Sequence, residues 1–165
     1  MIRDARPEDA GALSAIYGPY VANTAISFED TPPDAEDMAG RVALSAGHYP
    51  FLVLEEEGAV IGFASASAYR PRPAYRRSVS TGIYLSQHCT GRGLGRTLYE
   101  ALIAALVERQ FHVLIAGITL PNDASTGLHR ALGFAPVGVL REVGWKFERW
   151  HDVEMWQLTL RADAG

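Results

Sequence analysis

Residues 90–120 read TGRGLGRTLYEALIAALVERQFHVLIAGITL and carry three elements in one unbroken run. Thr90–Arg96 is a glycine-rich turn. Leu94, Leu98, Ala101, Leu102, Ala105 and Leu106 then recur at helical spacing along one face. Phe111–Leu120 is apolar almost throughout, which predicts a strand buried on both faces of a sheet, as parallel strands joined by helices are. An alternating stretch from Val79 to Leu85 lies upstream of the turn. Strand, glycine turn, helix and strand together predict one parallel βαβ unit.

Working outward, Ile2–Arg6 predicts a first strand closed by Pro7. Glu8 and Asp9 open a helix bearing Leu13, Ile16, Tyr17, Tyr20 and Val21, with acidic residues in the first turn where the helix dipole favours them. Asp34 follows Pro32 and Pro33 as the cap of a second helix to about Ser45. Phe51–Leu54 and Val60–Ala66 flank Glu56-Glu57-Gly58 as a hairpin. Downstream, Asn122-Asp123 caps a helix through Leu132 that Gly133 ends. Strands at Phe134–Leu140 and Val153–Leu160 complete the chain. The order βααβββαβαββ predicts an α/β fold with a mixed sheet, in one domain spanning residues 1–165.

Composition narrows the function. The 165 residues are 48% hydrophobic, enough for a core, and 15 basic against 19 acidic side chains give a net charge of −4. That balance argues against nucleic acid as a partner. Cys89 is the one cysteine, so no internal disulfide forms. The start MIRDARPEDA lacks an export signal and no apolar run reaches membrane length, which places the expected location in the cytoplasm with no membrane partner. His48, His88, His112 and His151 show no metal spacing with Cys89, so no metal is expected.

The glycine turn suits an anion. Glycines let backbone N–H groups approach closely at a helix end of partial positive charge, and Arg92 and Arg96 add to it. A plain turn with two solvated arginines fits the motif by itself. A P-loop needs a lysine that is absent here, and a dinucleotide fingerprint needs a third glycine where Leu98 stands. The pyrophosphate of another carrier remains.

The order GRGLGR, apolar helix, buried strand, Asn122 and LHRALGF (128–134) resembles the GNAT acetyltransferases. RPAYR, IYLS, GRGLGRTLY, LPNDAS, LHRALGF and RWHDVEMWQ, in that order over nearly the whole chain, are similar to the phosphinothricin and methionine sulfoximine acetyltransferase branch. The resemblance implies a mostly antiparallel sheet with a splayed central parallel pair flanked by helices. It implies acetyl-CoA as co-substrate, a small amino-acid-like amine as acceptor, direct transfer in a ternary complex, and a homodimer. Ile83, Tyr84 and Leu85 would lie along the acetyl-pantetheine. Gly91, Arg92, Gly93, Leu94, Gly95 and Arg96 would hold the pyrophosphate, and Asn122 would reach the pantetheine arm. Arg72, Pro73, Ala74 and Tyr75 match the substrate-contacting segment.

Transfer to an amine requires a proton to leave the amine and one to reach the departing thiolate. Relatives carry a glutamate where this chain has Ser80, and a hydroxyl alone is no useful base near neutral pH. His129 stands where the family places its proton-handling residue, with an unperturbed pKa of ~6.5 that suits either role; a histidine merely packed under the cofactor is the bland alternative. Glu29, in AISFED, falls in the pocket-lining region and suits binding the ammonium or taking its proton, or else is an acidic loop residue in water. Ser80 also motivates a second reading, an acetyl-CoA-binding sensor without turnover. A protein or peptide N-acetyltransferase is a third.

Overall fold

The computed structural model describes residues 1–89 and 91–160. Thr90, the first residue of the glycine turn, lies outside them. Among the described residues the strands are β1 (Ile2–Asp4), β2 (Phe51–Glu56), β3 (Ala59–Ala68), β4 (Ser78–Leu85), β5 (Val113–Thr119), β6 (Ala135–Lys146) and β7 (Arg149–Thr159). The helices are α1 (Ala10–Asn23), α2 (Ala35–Ser45), α3 (Leu94–Glu108) and α4 (Asp123–Ala131). The strands form one sheet in the order β1-β2-β3-β4-β5-β7-β6.

Every described neighbouring pair is antiparallel except β4 and β5. That parallel pair joins only Ser78–Ser80 to Val113–Ile115. Beyond it, β4 stays paired to β3 as far as Leu85, and β5 stays paired to β7 as far as Thr119. The two strands therefore splay from Thr81 onward, and the edge of β4 facing β5 loses its strand partner. The expected mixed sheet with a splayed parallel pair is the one observed.

Side-chain parity divides the core. Leu52, Leu54, Ala64, Ala66, Val79, Leu114, Ala116 and Ile118 meet α3 through Leu98, Tyr99, Leu102 and Leu106. On the other face Phe51, Val53 and Phe63 meet Leu13, Ile16, Tyr17 and Val21 of α1 and Met38 and Val42 of α2. Burying one such side chain contributes about 1.5–3 kcal/mol. The caps follow the sequence: Asp34 Oδ1 accepts from Asp37 N at 2.9 Å and Asp37 Oδ2 from Asp34 N at 3.2 Å, a reciprocal capping box.

Two expectations need correction. Strand β5 is buried on one face, not two: Leu114, Ala116 and Ile118 are covered, while Val113 and Ile115 are half-exposed and Gly117 is exposed. The second-layer helices α1 and α2 pack against β2, β3 and Tyr84 of β4 and do not reach across β5, whose Gly117 and Thr119 face an opening beside residues 26–29. β2 is the strand that runs fully buried through Phe51–Leu54. The last hairpin is also longer than the predicted 134–140 and 153–160, because residues 141–152 continue the pairing beyond a register shift between Leu140 and Gly144. Val143, Trp145 and Phe147 alternate there with Gly144 and Lys146, but the apolar set is exposed and Gly144 and Lys146 are buried, the reverse of the usual half-buried strand.

Candidate active site

The splay between β4 and β5 opens a small cavity of about 70 Å³ lined by Ile26, Thr81, Gly82, Ile83, Tyr84, Ala116, Gly117, Ile118, Thr119, Asn122, Ser125 and His129. A second cavity of about 240 Å³ lies on the α1/α2 side, walled by Tyr17, Arg41, Phe63, Ser65, Ser67, Ser80, Thr81, Gly82 and Tyr84. Thr81, Gly82 and Tyr84 belong to both walls, so one stretch of β4 separates and connects them.

At the mouth of the splay, Gly91 and Gly93 have φ of 78° and 74°, which glycine adopts without a steric cost. Gly93 is the N-cap of α3. A Cβ on either glycine would meet no atom within 4 Å, so the loop's outer side is open for approach to its backbone. The first N–H groups of α3 have no partner within the helix and face that space with the positive end of its dipole. This fits a pyrophosphate. The arginines are engaged by carboxylates: Arg92 donates to both oxygens of Glu56 at 2.9 and 2.7 Å, and Arg96 Nε to Glu100 at 2.8 Å. An arriving anion competes with exposed, screened pairs.

Asn122 caps α4, its side-chain oxygen accepting from Ser125 N at 3.1 Å, while it lines the splay. Ile83 and Leu85 pack partly into the α3 core, and Tyr20 donates its hydroxyl to Leu85 O at 2.7 Å. Tyr84 stacks edge-on against Tyr17 and Tyr20, with burial raising its hydroxyl pKa.

His129 is 4% exposed among Tyr99, Phe134 and Trp156. Its Nδ1 lies 2.7 Å from Ser125 O. A carbonyl only accepts, so Nδ1 carries the hydrogen and Nε2 is left with a lone pair. Burial lowers its pKa, partly opposed by that hydrogen bond, and the ring is held neutral at neutral pH.

Glu29 is bound by both Nη atoms of Arg41. The guanidinium holds its carboxyl below the usual range against the effect of burial, while the Tyr17 hydroxyl pairs with Ser27 Oγ at 2.7 Å. A carboxylate so stabilised is a weak base and a good partner for a cation. Ser80 faces Ser67 across β3–β4 and, with Ser65, gives the larger cavity a row of hydroxyls. The Arg72–Tyr75 loop forms an exposed 3₁₀ turn before β4, and none of its residues walls either cavity.

Arg41, Tyr17, Ser65 and Ser67 escaped the sequence reading. Arg41 is twelve residues from Glu29 with no local pattern joining them; only the helical register of α2 points it inward. Among the described residues no group of three or more His, Cys, Asp or Glu side chains is clustered as for a metal, and no helix is long and apolar enough to cross a membrane.

A family model described as an acetyltransferase (GNAT) domain matches residues 2–156. Phosphinothricin N-acetyltransferase of Alcaligenes faecalis is 43% identical over 164 residues, covering 98% of this chain and 83% of that one. The L-methionine sulfoximine/L-methionine sulfone acetyltransferase of Pseudomonas paraeruginosa is 40% identical over 161 residues, covering 96% and 94%. Among solved structures, a phosphinothricin acetyltransferase from Sinorhizobium meliloti in complex with acetyl-CoA superposes with a TM-score of 0.92 at 40% identity, over 97% of this chain and 88% of that one. The splayed strands, the glycine loop at the head of α3 and these matches together make the chain a member of the GNAT acetyltransferase family.

Proposed function

We propose that this protein transfers the acetyl group of acetyl-CoA to the amino group of a small amino-acid-like acceptor, of the phosphinothricin or methionine sulfoximine type named for its relatives. The observation that carries the reading is the pair of cavities meeting at Thr81, Gly82 and Tyr84. Acetyl-CoA enters between β4 and β5 and the amine from the α1/α2 side, so both are bound when transfer occurs.

In this reading the amides at Gly91, Gly93, Leu94 and Gly95 hold the pyrophosphate, with Arg92 and Arg96 released from their carboxylates to assist. Ile83, Tyr84 and Leu85 offer the backbone edge left without β5 to the pantetheine arm, Leu85 with its carbonyl already held by Tyr20, and Asn122 contacts the arm while capping α4. Neutral His129 accepts the amine's proton through water at Nε2 and returns it to the departing thiolate. Glu29 attracts the ammonium, and Ser80 orients acceptor or water by hydrogen bonding. Arg72 and the Pro73-Ala74-Tyr75 turn close over the acceptor from outside the cavity. No metal takes part. The bare face of the β6–β7 hairpin, with Val143, Trp145, Phe147 and Trp150 exposed, supports a homodimer. The proposed site of action is the cytoplasm, supported by the need for acetyl-CoA.

The test is acetyl-CoA-dependent thiol release over a panel of free amino acids, their sulfoximine and phosphinate analogues, and peptides, with His129→Ala alongside. Turnover on a free amino-acid-like amine, reduced about 10²- to 10⁴-fold in the variant with acetyl-CoA binding retained, is expected. Binding without turnover on any amine supports the sensor instead, and turnover on peptides alone supports the peptide enzyme.

A further inference from the structure

Lys146, the last residue of β6, is 6% exposed. Its Nζ donates to Val21 O at 2.6 Å and to Ser27 O at 2.7 Å, more than a hundred residues away in sequence. Val21 lies in the last turn of α1, where carbonyls lack helical partners and the dipole is negative. No ion pair to Lys146 occurs among the described residues. A buried ammonium held by two carbonyls and the face of the Phe147 ring, 5.1 Å away, with no carboxylate paired to it, is costly, and an apolar chain of equal length would avoid the desolvation. What the apolar chain cannot do is hold the two carbonyls together.

The surroundings of Lys146 reinforce the tie. His151, itself 5% exposed, places Nε2 2.9 Å from Lys146 O. The Phe28 ring rests where a side chain on residue 144 would stand: a Cβ on Gly144 would come within 2.2 Å of Phe28 Cε2. The hairpin turn closes through Phe147 and Glu148, at φ of 53° and 56°, a conformation such residues keep when their surroundings fix it. The segment held down is 24–29. Its Ile26, Ser27, Phe28 and Glu29 form one wall of a wide opening completed by Tyr17, Tyr84, Gly117, Thr119 and Val153.

We propose that Lys146 is a positioning residue: its ammonium fastens the β6–β7 tip to the end of α1 and to Ser27, fixing the 24–29 wall from which Glu29 meets the acceptor. Gly144 is the matching seat for Phe28. The consequence for amine affinity rests on the functional reading above; the fastening itself does not. The anchor lies away from the glycine loop, and the segment it holds reaches the splay through Ile26, so it acts on affinity for the amine far more than on that for acetyl-CoA.

The experiment compares wild type with Lys146→Met, which keeps the stem and loses the ammonium, and with Gly144→Ala, whose methyl unseats the Phe28 ring. Amide exchange is followed in peptides covering residues 22–30 and 94–108, acetyl-CoA affinity by calorimetry, and KM for the best amine by thiol release. Exchange about tenfold faster in 22–30 with 94–108 unchanged is expected. Amine KM rises about tenfold while acetyl-CoA affinity stays within about twofold. Unchanged exchange in 22–30, or equal loss of both affinities, overturns the proposal. If Lys146→Met does not fold, Gly144→Ala supplies the same readings. Faster exchange with an unchanged amine KM also overturns it while leaving the enzymatic reading intact. A wild type without turnover defeats the enzymatic reading, and exchange in 22–30 then decides the anchor alone: faster supports it and unchanged overturns it.

Discussion

The two sides of β4 are built by different means. In the proposed reading the splay side grips its ligand mainly through backbone, with the side chains of Asn122 and His129 beside it. Its working parts are the N–H groups of a glycine turn, a helix N-terminus and the strand edge from Thr81 to Leu85, mostly drawn from residues 81–96. On the α1/α2 side they are side chains from five elements: Tyr17 of α1, Glu29 of the following segment, Arg41 of α2, Ser65 and Ser67 of β3, and Ser80 of β4. Backbone recognition needs a contiguous stretch and tolerates little change. Side-chain recognition is assembled from afar, and one substitution alters it without touching the fold. An enzyme of this design keeps its acetyl donor and varies its acceptor.

The largest effect that would break this division is expected from Gly93→Val. A β-branched residue at φ 74° costs about 1–2 kcal/mol locally and tilts the amides at the head of α3. Acetyl-CoA affinity should fall about 10²-fold by calorimetry, with amine KM unchanged at saturating acetyl-CoA. A parallel rise in amine KM would show that the two sides are not separable.

Arg41→Met should act on the other side, more weakly. Loss of the guanidinium frees the Glu29 carboxylate from its fixed position and lets its pKa rise toward the ordinary value. Amine KM is expected to rise about tenfold with acetyl-CoA affinity unaltered. An unchanged amine KM would remove Arg41 and Glu29 from the acceptor site.

The smallest effect sharpens the splay side at His129, which lines that cavity alone of the two. Its folded pKa lies below its unfolded value, so its contribution to stability is fully present above pH ~6.5 and is lost as pH falls toward the folded pKa, the unfolded chain taking the proton first. In His129→Gln the fall in Tm between neutral pH and about pH 5 should be smaller by about 2–4 °C. The acid limb of kcat/KM in wild type should likewise lie below the ordinary imidazole range. An identical acid profile in the variant would mean that burial does not govern this ring.

The same division explains what could be read without coordinates. The glycine turn, α3 and the cap of α2 were legible because each is local: Gly91 and Gly93 need only their own dihedrals, and Asp34 caps with a residue three positions on. The splay of the parallel pair came from the family resemblance alone. The one-sided burial of β5 was not legible, since an apolar run looks the same whether or not a second layer reaches it. Arg72–Tyr75 matched a pattern, yet the chain holds that loop outside both cavities. Arg41 and Lys146 were invisible for a related reason. Their partners, Glu29, Val21 and Ser27, are chosen by how helix and hairpin pack, and no periodicity in sequence records that.

The brief pairing of β4 with β5 has a mechanical meaning. The sheet behaves as two stiff plates, β1–β4 and β5–β7–β6, riveted together at Ser78–Ser80 and Val113–Ile115 and sprung apart at the other end. A molecule gripped by both plates across the open end works as a splint. Its binding energy resists their relative bending and raises resistance to heat in proportion to the logarithm of its concentration.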